Sequence, residues 1–263
     1  MKAWKRIHIT KKRAACGVLG LLLLAAAYMG VPRAAEKVFA VAEGERRLPI
    51  YCVQTEKPQV SVSFDAAWGA DDTDELLRIL KENGVKATFF LCGYWVEKYP
   101  EEVKKIAAEG HDLGNHSATH PHMSRISSEE IAQELQKCHE NVKKLTGVEM
   151  ELFRPPFGEY DNHVIETAEQ NGYYTIQWDV DSLDWKEQGA EVEIRQVLEH
   201  KHLGNGSIIL FHNDAKYTPK VLDTILKGIK EKGFEIVPIS QLIHRENFEM
   251  DHEGRQIPKG KDV

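Results

Sequence analysis

The stretch Val60-Ser61-Val62-Ser63-Phe64-Asp65-Ala66-Ala67-Trp68-Gly69 opens the first legible unit of the chain. Apolar and small residues run up to Phe64, the composition of a buried strand, and an acidic side chain follows at its end. Thr73 to Glu82 then carries helical spacing. Strand followed by helix recurs downstream: Ala87 to Leu91 with Glu97 to Glu109, His111 to Asn115 with Ser128 to Thr146, and Leu152 to Arg154 with Asn162 to Asn171. Tyr174 to Trp178 precedes Val192 to His200, Ser207 to Phe211 precedes Thr218 to Glu231, and a last strand lies near Phe234 to Val237.

Gly84, Gly110, Gly147, Gly172 and Gly233 each follow a helical stretch, where a left-handed residue closes the last turn at little steric cost. Ser127 or Ser128, with Glu130 nearby, has the pattern of a helix N-cap. About seven β/α units imply an α/β fold with a parallel sheet, here a distorted (β/α)7 barrel. Closure of that kind gathers functional groups at the C-terminal ends of the strands.

The 263 residues, 42% hydrophobic and 29% charged, suit one soluble domain behind a targeting segment. A net charge of −7, with Lys and Arg scattered, argues against nucleic acid, whose phosphates need a concentrated basic face. A neutral ligand fits better. The exception is the N-terminus, where Lys2, Lys5, Arg6, Lys11, Lys12 and Arg13 precede an uncharged run from Ala14 to Val31. That is the pattern of a secretory signal or a single spanning segment, and the basic flank should stay cytoplasmic. Arg33-Ala34-Ala35-Glu36 is not a clean cleavage site, so an uncleaved anchor is favoured. The expected organisation is therefore 1–35 basic stretch plus anchor, 36–57 linker, 58–244 the domain, and 245–263 a polar disordered tail. The protein is expected at the cell membrane, single-pass, with the domain extracytoplasmic and monomeric. Cys52, Cys92 and Cys138 are an odd set at no metal-like spacing, read as small buried hydrophobes.

Five segments just after predicted strands concentrate ionisable and rigid residues: SFDAAWG, NHSATH, FRPPFGEY, WDVDSLDW and ILFHND. His116 and His120, four apart, would share one face of a helical turn, where neutral imidazoles can bind a divalent cation. Zinc leads, and cobalt or nickel also suits imidazole; a solvated histidine-rich loop is the alternative. Asp65 emerges at the sheet rim, where a carboxylate can take a proton from water; a helix cap is the alternative, although Asp71, Asp72 and Thr73 already serve there. Arg154 can hold Asp65 ionised by a bidentate contact. The prolines after it leave Phe157 with the first free N–H, rigidly aimed as an oxyanion donor must be; a plain structural turn is the alternative. His212, at another strand end, can protonate a leaving amine, with Asp184 raising its pKa. Trp178 and Trp185 offer apolar walls on which sugar rings stack, and Leu210 can line a methyl pocket; core packing is the alternative for all three.

In their order and spacing these five segments resemble the signature set of polysaccharide deacetylases of carbohydrate esterase family 4, over about residues 58 to 240. The anchor and the FD-x-x-WG variant are similar to the sporulation-type branch. The resemblance implies a metal-dependent N-deacetylase acting on linear amides of peptidoglycan or a chitin-like glycan. Asp65 is then the base, His212 the acid, Arg154 and Asp184 their orienters, and His116 and His120 metal ligands. The family pattern places a second aspartate, the third metal ligand, directly after the base, and here that position is Ala66. The resemblance therefore also admits a catalytically degenerate glycan-binding protein.

Overall fold

The computed structural model describes residues 46–259; the basic stretch, the apolar run and the possible cleavage site lie outside them. No helix among the described residues is long and apolar enough to cross a membrane.

The organising strand is β2 (Gln59–Ala66), which is buried along almost its whole length. Its alternation sorts two rows of side chains. Val60, Val62, Phe64 and Ala66 join the main apolar cluster. Ser61 and Ser63 face the other way, and their hydroxyls donate to the carbonyls of Val237 (2.7 Å) and Ile209 (2.8 Å), so the buried polar atoms are satisfied. Asp65 continues the serine row.

Around β2 lie β3 (Thr88–Leu91), β4 (Asp112–Asn115), β5 (Leu152–Phe153), β6 (Tyr174–Thr175), β7 (Val180–Asp181), β8 (Ile208–His212) and β9 (Glu235–Ile236). Their order is β6-β5-β4-β3-β2-β8-β7, with β9 also pairing β2, and every pair is parallel. β6 and β7 are the two ends of this order, so the sheet is a curled half-barrel. Its C-terminal edge carries Asp65, His116, Arg154, Asp184 and His212.

The helices are α1 (Thr73–Glu82), α2 (Gly93–Lys98), α3 (Pro100–Ala108), α4 (Ser128–Thr146), α5 (Asn162–Gln170), α6 (Ala190–Leu198), α7 (Thr218–Glu231) and α8 (Ile239–Leu242). α4 begins with a full capping box between Ser127 and Glu130 and ends on left-handed Gly147. The cap expected from Asp72 is absent: it precedes α1 but makes no side-chain capping bond. The single helix expected over 97–109 is two, broken at Tyr99 (φ −126°, ψ 54°), because Pro100 has no N–H to continue the ladder.

Two regions expected to be irregular are ordered. Cys52–Val53, inside the expected linker, form β1; Phe248–Met250 and Arg255–Pro258, inside the expected tail, form β10 and β11. β10 and β11 are antiparallel, and β11 pairs β1 in parallel. The turn between them is set by Asp251, whose Oδ1 accepts from the N–H groups of Glu253 and Arg255, and by Gly254 at φ 79°. Gln256 anchors the hairpin: fully buried, it exchanges hydrogen bonds with both the N–H and the C=O of His244.

Candidate active site

Arg154 sits at the end of β5 with no exposure, its guanidinium 4.1 Å from the centre of the Phe90 ring and 5.4 Å from that of Trp178. Between these faces one amino group donates to Asp65 Oδ1 (2.8 Å) and the other to the carbonyl of Gln177 (3.2 Å). The contact with Asp65 is thus a single hydrogen bond rather than the bidentate fork expected, because the second arm is taken by backbone; Nε has no partner. Trp178, half-buried, packs against this arginine on one side and approaches Gly158 on the other.

The second oxygen of Asp65 lies 3.7 Å from Nε2 of His116. His116 Nδ1 is 2.7 Å from the Arg154 carbonyl. A carbonyl only accepts, so Nδ1 carries the hydrogen and Nε2 turns a lone pair toward Asp65. Burial pushes Asp65 up, but Arg154, with His116 and His212, outweighs it and holds the carboxyl below its ordinary range. Burial holds His116 neutral, and burial reinforced by His116 brings His120 down to about 4.

His116 and His120 meet at 4.9 Å between ring centres, edge to face. The helical turn expected from their spacing is not what joins them. Ser117 (φ 65°) and His120 (φ 58°) are both left-handed, in a loop tied down by Asn115 Oδ1 on the Ser117 N–H and by the Glu134 carboxylate on the N–H groups of Ala118 and Thr119. Four residues of tight loop bring two side chains together as well as one helical turn does. Asn115 lies in the segment NHSATH without a role of its own in the sequence reading, and Glu134 escaped that reading altogether, since nothing distinguishes it from other acids on an amphipathic helix.

On the other side of β2, Asp184 opens a 3-10 turn (Asp184–Lys186) after left-handed Leu183. Its Oδ1 accepts from His212 Nδ1 (2.7 Å) and the Trp185 N–H (2.7 Å), and its Oδ2 from the His212 N–H (2.6 Å). Burial works against a charge on His212, yet the bond to Asp184 prevails and raises its pKa. The mouth is ringed by three large exposed aromatics, Trp68 (61%), Phe157 (56%) and Trp185 (58%). Phe157, left-handed at φ 59°, packs its ring 4.5 Å from both His120 and His122, and Trp68 lies 5.9 Å from His120. Leu210 is a buried core residue on β8, although it joins neither of the two large apolar clusters.

Comparison with known proteins shows the family to which this fold belongs. The polysaccharide deacetylase family model matches residues 53–176. A peptidoglycan-N-acetylglucosamine deacetylase of Bacillus cereus is 34% identical over 190 residues, covering 71% of this chain and 68% of that protein. The chain belongs to the polysaccharide deacetylase family. Uncharacterized protein YlxY of Bacillus subtilis is 36% identical over 195 residues, 74% of this chain, which spans only 60% of YlxY's length. Among solved structures, BA3943 of Bacillus anthracis, a carbohydrate esterase family 4 pseudoenzyme, superposes with a TM-score of 0.71 at 32% identity, covering 81% of this chain and 73% of that one. A mutant of BA3943 is described as having restored enzymatic activity. The domain therefore shares its family with a deacetylase and its fold with a pseudoenzyme.

Proposed function

We propose that the domain hydrolyses acetamide groups on an N-acetylated cell-wall glycan, peptidoglycan or chitin-like, with His116 and His120 holding a divalent cation. The observation that carries this is the pairing of two supported groups across one ladder: Asp65, held by Arg154, stands in register with His212, held by Asp184.

The donors suit zinc, cobalt or nickel, because both imidazoles are neutral and His116 presents its lone pair to the gap before Asp65. Among the described residues no three His, Cys, Asp or Glu side chains gather as a cage, and position 66 offers only a buried methyl group. His116 and His120 would hold a cation there, with Asp65 alongside. When bound it supplies Lewis acidity at the mouth. Asp65, ionised over the whole working range, removes the proton of a water whose oxygen bonds to the acetyl carbon. His212, kept protonated by Asp184, gives its proton to the nitrogen as the C–N bond breaks, releasing acetate and a free amine. Phe157, Trp185 and Leu210 border the space for the sugar and its acetyl group.

Loading the full-length protein with zinc or cobalt and measuring acetate from peptidoglycan and chitooligosaccharides tests this. Release that stops on chelation supports it; silence under conditions where the Bacillus cereus relative is active sinks it.

A second reading is favoured by one observation, the alanine where the family carries a carboxylate, together with the likeness to BA3943. In that reading the domain binds glycan without turnover, as a degenerate cell-wall protein of the sporulation-type branch. Acetate release that appears only with Ala66→Asp selects it. From the cations before Ala14 and the apolar run after it we also infer a single-pass anchor with a monomeric domain outside the cell membrane; protease digestion of intact cells reads that directly.

A further inference from the structure

We propose that Glu193 is a positioning residue, a buried carboxyl that acts through the Thr218 hydroxyl to orient Asp184 and so set the proton affinity of His212. It deepens the deacetylase reading, on which the role of His212 rests.

Glu193 lies on α6 with 4% of its surface exposed, facing Thr218, the fully buried first residue of α7. The Thr218 hydroxyl is 2.8 Å from Glu193 Oε1 and 3.3 Å from Asp184 Oδ2. One hydroxyl proton cannot serve two carboxylates. The rest of the geometry decides which of them is charged. Asp184 already accepts three N–H groups, from His212 twice and from Trp185, so both of its oxygens are supplied with donors. Glu193 has only the hydroxyl. Burial, opposed by Thr218 and reinforced by the charge on Asp184, lifts Glu193 to about 7.

With its proton on, Glu193 donates to Thr218, and Thr218 donates to Asp184, so every member of the relay is satisfied. Once Glu193 ionises, the Thr218 proton turns to it. Asp184 then loses a donor and gains an anionic neighbour, and both changes raise the proton affinity of His212. The one charged group acting on Glu193 is Asp184, whereas His212 also feels Asp65 and Asp181, and it lies near neutral His116. Glu193 thus tightens the hold of His212 on its proton as the medium turns alkaline.

The test is carbon and nitrogen NMR of the metal-free, full-length protein in detergent, following the Glu193 carboxyl and the His212 ring from about pH 5 to 9. The Glu193 signal is expected to titrate near 7. E193Q should lower the His212 midpoint by about half a unit or more, and Thr218→Val should remove that effect of E193Q. A purely structural glutamate would leave the His212 titration unmoved. Superimposed His212 curves in wild type and E193Q, or a Glu193 signal titrating at the ordinary value of 4.5, overturn the proposal. The carboxyl titration needs no variant, so it decides the matter even where E193Q does not fold. None of these signals requires acetate release, so a protein without turnover still answers the question.

Discussion

Asp65 and His212 stand directly opposite one another, the last aligned pair in the register joining Gln59–Ala66 to Ile208–His212. Their separation is fixed by a backbone ladder, while their orientations are fixed independently by Arg154, just after β5, and by Asp184, in the 3-10 turn after β7. Base and acid can therefore be disturbed one at a time.

Arg154→Met is the sharpest way to disturb the base. The arginine has no exposure and Asp65 has 5%, so the substitution leaves a buried carboxylate without its cation. Breaking such a pair costs about 3–5 kcal/mol. Denaturant unfolding should show a loss of that size, and the Asp65 pKa should move upward; an unchanged midpoint would mean that the pair does not carry the charge.

Ala66→Asp has two effects of opposite sign. Position 66 is 1% exposed and lies in the apolar row with Val60, Val62 and Phe64, so a metal-free carboxylate there is a buried unpaired charge. Zinc should reverse the loss, since binding only to the folded state raises stability. The expected result is a melting temperature below wild type in chelator and a larger zinc-induced rise than wild type shows. Equal zinc responses would place residue 66 outside the cation's reach.

Acid stability should be governed in part by His111, which lies just before β4, at the opposite end of that strand from His116. It is 7% exposed, and its Nδ1 accepts the Ala87 N–H, so the ring is neutral in the fold. Burial, with Lys86 adding to it, lowers its pKa from 6.5 to about 4. The unfolded chain therefore binds a proton that the folded one refuses. Stability is complete above 6.5 and declines as pH falls toward 4, by about 3 kcal/mol over that window. His111→Asn keeps an acceptor without titrating, and its urea midpoints over this range should fall less steeply.

Glycan affinity should depend on the exposed rings. Trp185→Ala and Trp68→Ala each remove a large apolar face at the mouth, for which about 0.5–1.5 kcal/mol is expected, a severalfold weaker binding of chitooligosaccharides by calorimetry. Wild-type affinity in both variants would show that the sugar lies elsewhere.

Much of this arrangement is legible before any coordinates. The alternation Val60-Ser61-Val62-Ser63-Phe64 already puts Asp65 in the non-core row, and the helices Thr73–Glu82, Ser128–Thr146 and Thr218–Glu231 end at the residues that their spacing and punctuation indicate. The less legible parts have physical reasons. An i, i+4 pair of histidines is compatible with a helix or a tight loop, and only the left-handed Ser117 and His120 distinguish them. Gln177 supports Arg154 through its carbonyl, a group every residue has. Glu193 and Thr218 reach Asp184 from helices that look ordinary in sequence. The β10–β11 hairpin has strands too short for a period to show.

That hairpin also bears on how the molecule assembles. Cys52 pairs with Arg255, so the two partners are 255 − 52 = 203 positions apart. Closing so long a span is slow compared with forming neighbouring β/α units, and the small sheet should zip only after the half-barrel exists. A polypeptide still emerging from a ribosome or translocon can pair Cys52–Val53 with Gly206–Ser207 first, and the β11 edge joins only afterwards. Clipping after His244 would take β11 away from these two residues and remove Gln256 from its buried seat, loosening the seam that joins Cys52–Val53 to Arg255–Pro258.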